Sequence, residues 1–380
     1  MRQRSLLFLL VMLTAVFWAG TDLTASTYYY RDLGVMDGNS SQAWGINNNQ
    51  QVVGWVSYPA GGPYAAQAFL WTLATGMQPL GTLGGTYSWA YCINSLGAVV
   101  GESQTAPLPG FPTGIATAYY KPLNQAMQQM PDLVPIPDTP PPYPYSRAYG
   151  VNEAGQIVGF SNNDNAAVQP VIWQNSASTP TALGTFGGEH GMALGINASG
   201  AVVGWTEVEP GNPDARAFYW PGAGPIQDLG TLRADNTGIA AARSINDLNT
   251  IAGVATNETS LREAFIKLSE GSMTGLGNLG GSVEGLQSYS QAVNNNNEVV
   301  GYAYTAEGLM RAFLYTQTAG MQDLNNLVGN LPAGVTLRRA LSINDPGDIV
   351  GVTGNGRAFL VSKDPNIVTR TTGSLLLLLD

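Results

Sequence analysis

The segment ALGINASGAVVGW, residues Ala193–Trp205, decides the fold, because variants of it occur at seven places in the chain. Each copy contains an Asn that is followed seven positions later by a Gly, as Asn197 is by Gly204. Successive recurring asparagines lie 47, 58, 45, 49, 48 and 50 residues apart, a period typical of β-propeller blades and too long for one solenoid coil. The seven asparagines are Asn47, Asn94, Asn152, Asn197, Asn246, Asn294 and Asn344.

Two further motifs complete each repeat, and together they predict four strands. Strand a ends at the recurring Asn, and strand b contains the recurring Gly. Strand c is an Ala-Phe-Leu-Trp run such as Ala68–Trp71, and strand d is an Asp-Leu-Gly step such as the one at Leu229. Strands b and c are almost continuously apolar, as in sheets that are packed on both faces. The chain is therefore predicted to be an all-β protein, a seven-bladed β-propeller of four-stranded antiparallel blades.

The two ends of the repeat array suggest how such a propeller closes. One d strand, near Tyr28–Leu33, precedes the first a strand, whereas the last repeat, within Ala340–Val361, lacks a d strand of its own. The simplest closure pairs the N-terminal strand with the C-terminal blade, which protects an edge. Units ordered d-a-b-c, without this clasp, are the alternative. The repeat array is assigned to residues 27–365 and a short C-terminal tail to residues 366–380.

Local signals refine this interpretation. An Asn at the first position of the a–b turn can bond the backbone two residues on, and the fourth position favours a residue in the left-handed region. Gln50 and Pro346 fit this turn poorly, so it is predicted in five repeats and doubtful in two. The alternative role for the asparagines is a polar ring at one mouth of the channel.

Lys121–Met130 is the one segment that suggests a short helix.

The first 26 residues are predicted to be a signal peptide. Arg2 and Arg4 form a basic start, and Leu6–Ala19 is an apolar run too short for an ordinary membrane span. The small residues Thr24, Ala25 and Ser26 offer a cleavage site. An uncleaved N-terminal anchor is the alternative. We therefore expect a secreted protein that is extracellular or at the cell surface, with the periplasm as a further location.

Charge and composition argue against several classes of function. The net charge is −10 and basic clusters are absent, which disfavours nucleic acids and anionic membranes as partners. Cys92 is the only cysteine, so no internal disulfide is possible, and we expect it to be a small packing residue. With His190 as the only histidine, neither a Ser-His-Asp triad nor a His-based metal site is predicted. No cofactor is implied.

The repeat units resemble those of the HAF-type family of probable extracellular repeat proteins. The resemblance covers about residues 30–361 and is carried by motifs in a fixed order: Leu80–Gly85, Ala193–Asn197, Val202–Gly204 and Ala68–Trp71. The family takes its name from a His-Ala-Phe step, whereas here Gln, Arg or Glu precedes Ala-Phe. The resemblance implies secretion and repetition, and it brings no catalytic residues.

Loop lengths indicate where function lies. The a–b and c–d connections vary little among the repeats, whereas the d–a and b–c loops vary in length and emerge together on the opposite face. We call this second face the variable-loop face. Its longest segments are Ser103–Thr117 and the Pro-rich Pro131–Ser146. The candidate binding residues on it are Tyr87, Trp89, Tyr143, Tyr145, His190 and Tyr289.

These observations favour a secreted, non-enzymatic propeller that acts as a binding or cell-surface assembly module for an extracellular protein or glycan. The first alternative is an extracellular carbohydrate-active enzyme that uses carboxylates on the variable-loop face. A ring of convergent acids in one pocket would favour it. The second alternative is a structural surface or fibre subunit, which flat complementary edges between copies would favour.

The signal peptide leads to a direct prediction. Because a basic start, an apolar run and small residues occur in that order, we expect the exported protein to begin close to residue 27. N-terminal sequencing of the protein recovered outside the cytoplasm measures this. A mature chain that begins at Met1 would contradict it.

Overall fold

A computed structural model of the protein describes residues 28–108, 111–134, 145–210, 214–280 and 285–369. The predicted signal peptide, Tyr143 and most of the Leu-rich tail lie outside these residues. The described chain has an all-β, propeller-like architecture of antiparallel strands. No helix within the described ranges has the length and apolar character needed to cross a membrane.

The recurring motifs lie in strands, which fall into groups of four. The a strands are β2 (Ser40–Ile46), β6 (Gly84–Ile93), β10 (Ser146–Val151), β14 (Gly191–Ile196), β18 (Ala240–Ile245), β22 (Ser288–Val293) and β26 (Leu337–Ile343). The b strands are β3 (Val52–Ser57), β7 (Val99–Thr105), β11 (Ile157–Asn162), β15 (Val202–Glu207), β19 (Ile251–Thr256), β23 (Val299–Tyr304) and β27 (Ile349–Thr353).

In five of the groups the outermost strand, d, is shorter than the other three. The c strands are β4 (Ala66–Thr72), β8 (Ala116–Lys121), β12 (Val168–Trp173), β16 (Ala215–Trp220), β20 (Arg262–Lys267), β24 (Met310–Thr316) and β28 (Ala358–Ser362). The d strands are β1 (Tyr29–Gly34), β5 (Gly76–Gly81), β9 (Gln128–Gln129), β13 (Thr181–Ala182), β17 (Gln227–Asp228), β21 (Thr274–Gly275) and β25 (Gly320–Asp323).

Within each group the strands pair in the order a-b-c-d. In the described chain five groups are separate sheets, and the groups β2–β5 and β6–β9 share one sheet through a parallel bridge between Ala66 and Tyr87. Strand β1 pairs with β28 and completes the last group, so the clasp is the observed order rather than d-a-b-c. Each a strand contacts the a strand of the next group, and β26 contacts β2. The a strands therefore surround a central channel.

Each recurring Asn holds its own turn and also links two groups. Its Oδ1 accepts the N–H of the residue four positions on, as Asn152 accepts from Gln156 at 3.0 Å. Its Nδ2 donates to the backbone carbonyl of the next recurring Asn, as Asn152 donates to Asn197 at 3.1 Å. Seven such Nδ2–O bonds of 2.8–3.1 Å close into a ring, because Asn344 donates to Asn47. The turn and polar-ring interpretations thus both hold. We call this set the asparagine ring.

The two turns that the sequence fits poorly form nevertheless. Gln50 adopts the left-handed region with φ of +57°, and its Nε2 donates to Asp348 at 2.9 Å. Pro346 has no N–H to donate to the recurring Asn344. That Asn still accepts the N–H of Asp348 at 2.7 Å, so the turn loses one bond and keeps its geometry.

A β-bulge interrupts every a–b pairing and explains the recurring Gly. In one group the register shifts between Ala193 and Gly195, which leaves Leu194 as the extra residue. The bulge brings a strand-a carbonyl against strand b, so that a Cβ on Gly204 would lie 2.0 Å from the carbonyl oxygen of Met192. The corresponding distances at the seven recurring glycines are 1.8–2.1 Å. Any side chain at these positions would force the strands apart.

The helical structure differs from the sequence prediction. Lys121–Met130 is not a helix, because Gln128 and Gln129 pair with strand β8 and this edge pairing overrides the local pattern. The described chain instead has a 3₁₀ turn at Leu324–Leu327 and a short helix, α1, at Asn366–Thr369. Ile367 of α1 is buried in the same core cluster as residues of the β1–β28 clasp. The start of the predicted tail therefore packs onto the clasp.

We predict that Asn197→Asp weakens the link between groups while it preserves the turn. The carboxylate can still accept the turn N–H, but it cannot donate to the carbonyl of Asn246, 3.1 Å from Nδ2 in the native protein. A buried acceptor facing another acceptor should lower the free energy of unfolding by about 1–3 kcal/mol. Urea denaturation at pH 7 measures this, and the deficit relative to the native protein should shrink near pH 4, where the acid takes up a proton and can donate.

Asn163 provides the matched control. Its Oδ1 accepts the N–H groups of Asn165 and Ala167 at 3.0 Å in the same kind of turn, on an exposed b–c loop away from the ring. Asn163→Asp should leave the unfolding free energy nearly unchanged. Equal effects of the two substitutions would mean that the link between groups contributes nothing.

Candidate functional site

The bulges aim one side chain from each group into the central channel. The bulged residue always lies three positions before the recurring Asn, between two small residues that pack in the sheet. All of the bulged residues line one cavity of about 610 Å³, a volume within the range of small-molecule sites. They are Trp44, Tyr91, Tyr149, Leu194, Arg243, Gln291 and Leu341. We call this space the central cavity.

An apolar collar separates the central cavity from a smaller one of about 210 Å³ at the a–b turns. The collar consists of residues that line both spaces: Ile46, Ile93, Val151, Ile196 and Ile245. The central cavity lies on the side of the collar where the a strands begin and the d–a loops enter. It therefore belongs to the variable-loop face.

Aromatic side chains form much of the wall of the central cavity. Trp44 packs edge-on against Tyr91 with ring centroids 5.5 Å apart, and Tyr91 lies 5.2 Å from Tyr149. Trp55 lies 6.4 Å from Trp89. Half-buried aromatic side chains that line a cavity bind rings and apolar groups of a ligand at little entropic cost. The wall is thus suited to a ligand that contains a ring.

One side of the cavity is built around an ion pair between Glu102 and Arg147. The Glu102 side chain is only 2% exposed and that of Arg147 is 20% exposed. The guanidinium also donates to the hydroxyls of Tyr145 and Tyr149, at 2.9 and 3.0 Å. Burial alone would lower the pKa of Arg147, but the surrounding tyrosines and Glu102 offset this and raise it. The charge of Arg147 is therefore satisfied within the protein.

A second cation, Arg243, lies in the wall without such a partner. Its Nε is buried and makes no hydrogen bond, and none of the ion pairs among the described residues includes it. The titratable groups that act on it are Tyr302, Tyr149, Tyr289 and Arg262, none of which carries a carboxylate. Burial lowers the pKa of Arg243 from its usual value.

Three of the candidate binding residues predicted from the sequence lie together at the central cavity, beside the Glu102–Arg147 ion pair. Trp89 lines the central cavity, and Tyr87 packs on it with ring centroids 4.9 Å apart. Tyr87 and Tyr145 both donate hydrogen bonds to Glu102, at 3.0 and 3.5 Å. Burial and Glu102 raise the pKa of Tyr145 to about 12. These three aromatics thus form one cluster with the ion pair.

The other candidates lie elsewhere. Tyr289 stacks on Tyr302 with centroids 4.8 Å apart, on the Arg243 side of the channel. His190 does not line the central cavity: its Nδ1 accepts the N–H of Val168 at 3.1 Å and thereby fixes a strand end. Tyr143 lies outside the described residues.

The residues that sequence reasoning missed are the bulged side chains and the Glu102–Arg147 pair. A signal for them exists in the repeats. Positions two and four before the recurring Asn are occupied by small residues, whereas positions three and five vary from Trp to Arg to Leu. Comparison of loop lengths alone does not detect this variation within strand a.

Three acids among the described residues line the smaller cavity: Glu153, Asp247 and Asp345. Asp247 and Asp345 each accept a hydrogen bond of 2.9 Å from a backbone N–H, those of Ala198 and Asn295. Glu153 accepts the N–H of Ser95 at 3.0 Å in the same way. These carboxylates link neighbouring a–b turns. The described residues contain no group of three His, Cys, Asp or Glu side chains placed to hold a metal ion.

Comparisons with known proteins add little to the geometry. No family model and no curated protein matches the sequence. Among solved structures, a catalytically inactive virginiamycin B lyase from Staphylococcus aureus with quinupristin has a TM-score of 0.46 at 11% identity, covering 88% of this chain and 99% of that one. The BP39L lectin from Burkholderia pseudomallei has a TM-score of 0.42 at 9% identity, covering 88% and 94%. The N-terminal domain of Nup159 has a TM-score of 0.43 at 10% identity, covering 89% and 96%. At these TM-scores no functional residue is carried over.

We predict that Glu102→Gln strongly destabilises the protein, because it leaves the Arg147 guanidinium buried without its counter-charge. The expected loss is about 3–5 kcal/mol of unfolding free energy in urea denaturation. The double variant Glu102→Gln with Arg147→Met should recover much of that loss. As a control, Asp235→Asn breaks the ion pair of Asp235 with Arg233 on the exposed surface, and it should change stability little. Equal losses of unfolding free energy in Glu102→Gln and Asp235→Asn would show that the buried pair stabilises the protein no more than the exposed pair does.

Proposed function

We propose that this chain is a secreted, seven-bladed β-propeller that acts as a non-enzymatic binding module, with its ligand held in the central cavity. The seven-bladed architecture is supported by the a-b-c-d groups of the described chain and by the closed asparagine ring. Secretion is supported by the basic and apolar start of the sequence and by the resemblance to extracellular repeat proteins.

One observation carries the binding proposal: the bulged residues vary in chemistry while their backbone positions are constant. Small residues on both sides of each bulged side chain maintain the sheet, as Ala90 and Cys92 do around Tyr91. The bulged side chain does not pack in the sheet and instead lines a cavity of about 610 Å³. Variation at such positions costs the fold little and changes what the cavity accepts.

The carbohydrate-active enzyme is the weaker candidate. A pair of acids on the variable-loop face would support it, but the carboxylates that converge in the described structure lie at the opposite face and accept backbone hydrogen bonds there. Glu102, the partner of the cavity-lining Arg147, also accepts hydrogen bonds from two tyrosines. These acids are engaged in structural bonds.

The proposal predicts that Ala241→Trp abolishes binding without unfolding the protein. Ala241 lines the central cavity on a strand-a position that faces the channel, so an indole there fills the space that a ligand needs. The mature protein would be applied to an array of glycans, peptides and small ring compounds, and capture by the variant compared with that of the native protein. We expect loss of capture together with a melting temperature within a few degrees of native.

Leu248→Trp is the matched control. Leu248 lies seven residues further along the same group, on the a–b turn, and is 54% exposed on the opposite face. This variant should capture the same ligands as the native protein. Undiminished capture by Ala241→Trp would place the binding site outside the central cavity.

A further inference from the structure

The environment of Arg243 differs from that of the other cavity cation. Arg147 has Glu102 as a counter-charge and two tyrosine hydroxyls as acceptors. Arg243 has neither, although it occupies the bulged position that holds Trp44, Tyr91 and Tyr149 in three other groups. A partly buried guanidinium without an acceptor is costly for a protein to maintain. A buried donor without a partner calls for an explanation, and a ligand that supplies the missing counter-charge is one.

The surroundings of Arg243 increase the positive potential on this side of the cavity. Arg262 acts on Arg243 electrostatically, and Arg339 acts on the same Tyr302 that Arg243 faces. Arg339 donates one hydrogen bond, to the neutral Gln42 at 3.3 Å. No Asp or Glu is among the described residues that line the central cavity. A local excess of positive charge thus occurs in a protein whose net charge is −10.

We propose that the central cavity binds a ring compound that carries a carboxylate, with Arg243 as the group that pairs with the carboxylate. This inference rests on the proposed binding function and specifies its ligand. A carboxylate at the Nη groups of Arg243 would compensate the charge that the protein leaves unpaired. The ring of the same ligand would pack on the aromatic wall formed by Trp44, Trp89 and Tyr91.

Two sources supply this chemistry, and the experiment separates them. Acidic sugars and aromatic acids both join a carboxylate to a ring. Glucuronic acid and benzoic acid represent the two sources, and glucose and benzamide are their uncharged counterparts. The mature native protein would be titrated calorimetrically with all four compounds in low salt and again with added NaCl. The native protein should prefer an acid over its counterpart by roughly tenfold or more, and salt should reduce that preference.

Arg243→Met tests the assigned residue, because methionine retains an apolar body of similar length without the charge. The variant should lose the preference for the acid while it still binds the uncharged compound with the affinity of the native protein. Without ligand, it should be as stable as the native protein or more so, since an uncompensated charge has been removed. Arg311→Met is the control, because Arg311 pairs with Asp323 on the outer strands. It should retain the preference for the acid.

The outcomes distinguish this proposal from the binding function itself. An unchanged acid preference in Arg243→Met, or equal binding of acid and counterpart by the native protein, would overturn the role of Arg243 and leave the cavity as a binding site. Failure of the native protein to bind either acid with a Kd below about 1 mM would overturn the carboxylate proposal. Loss of array capture in Leu248→Trp as well as Ala241→Trp would instead count against the cavity.

Discussion

The structure depends on one side-chain amide used in two directions. The oxygen of each recurring Asn fixes the a–b turn of its own group, and the nitrogen bonds the corresponding turn of the next. A carboxylate could do the first task but not both, because it has no hydrogen to donate, whereas the amide carries its acceptor oxygen and its donor N–H groups on two separate atoms. The asparagine ring therefore ties each a–b turn to the next around the channel, at the end of the a strands whose bulged residues line the cavity.

The bulge next to the asparagine ring gives neighbouring residues of strand a two different roles: some pack in the sheet and one lines the channel. Small side chains before and after it pack the sheet, and the recurring Gly of strand b makes room for the displaced carbonyl. The bulged residue is thereby turned out of the sheet and into the channel. A substitution at this one position changes the surface of the cavity with little effect on the sheet. The same backbone can in this way present tryptophan, tyrosine or arginine around one axis.

The repeat in the sequence predicts much of the fold, but it predicts less of the candidate site. The strands a to d and five of the a–b turns could be predicted, because apolar pattern and spacing are local properties. The N-terminal clasp stays one of two strand orders that the repeat allows, because a pairing between the two ends of the chain is not a local property. The chain does not reveal that Tyr87, Trp89 and Tyr145 would meet around Glu102 and Arg147, since that contact depends on the twist between groups. The helix expected at Lys121–Met130 is wrong because edge pairing outweighs a weak local preference. The direction of Arg243 depends on a bulge, which the small residues two and four positions before the recurring Asn indicate only when the repeats are compared position by position.

The clasp between β1 and β28 determines the order in which the molecule is completed. Arg357 of the last group bonds Asp32 of the first strand across 325 residues of chain. The first strand is synthesised early but has no partner until the last strands follow. Contacts so distant in sequence slow folding, because chain entropy is lost before they are formed. The molecule is thus a late-closing ring, and the unpaired edge of its first strand is exposed for most of its synthesis.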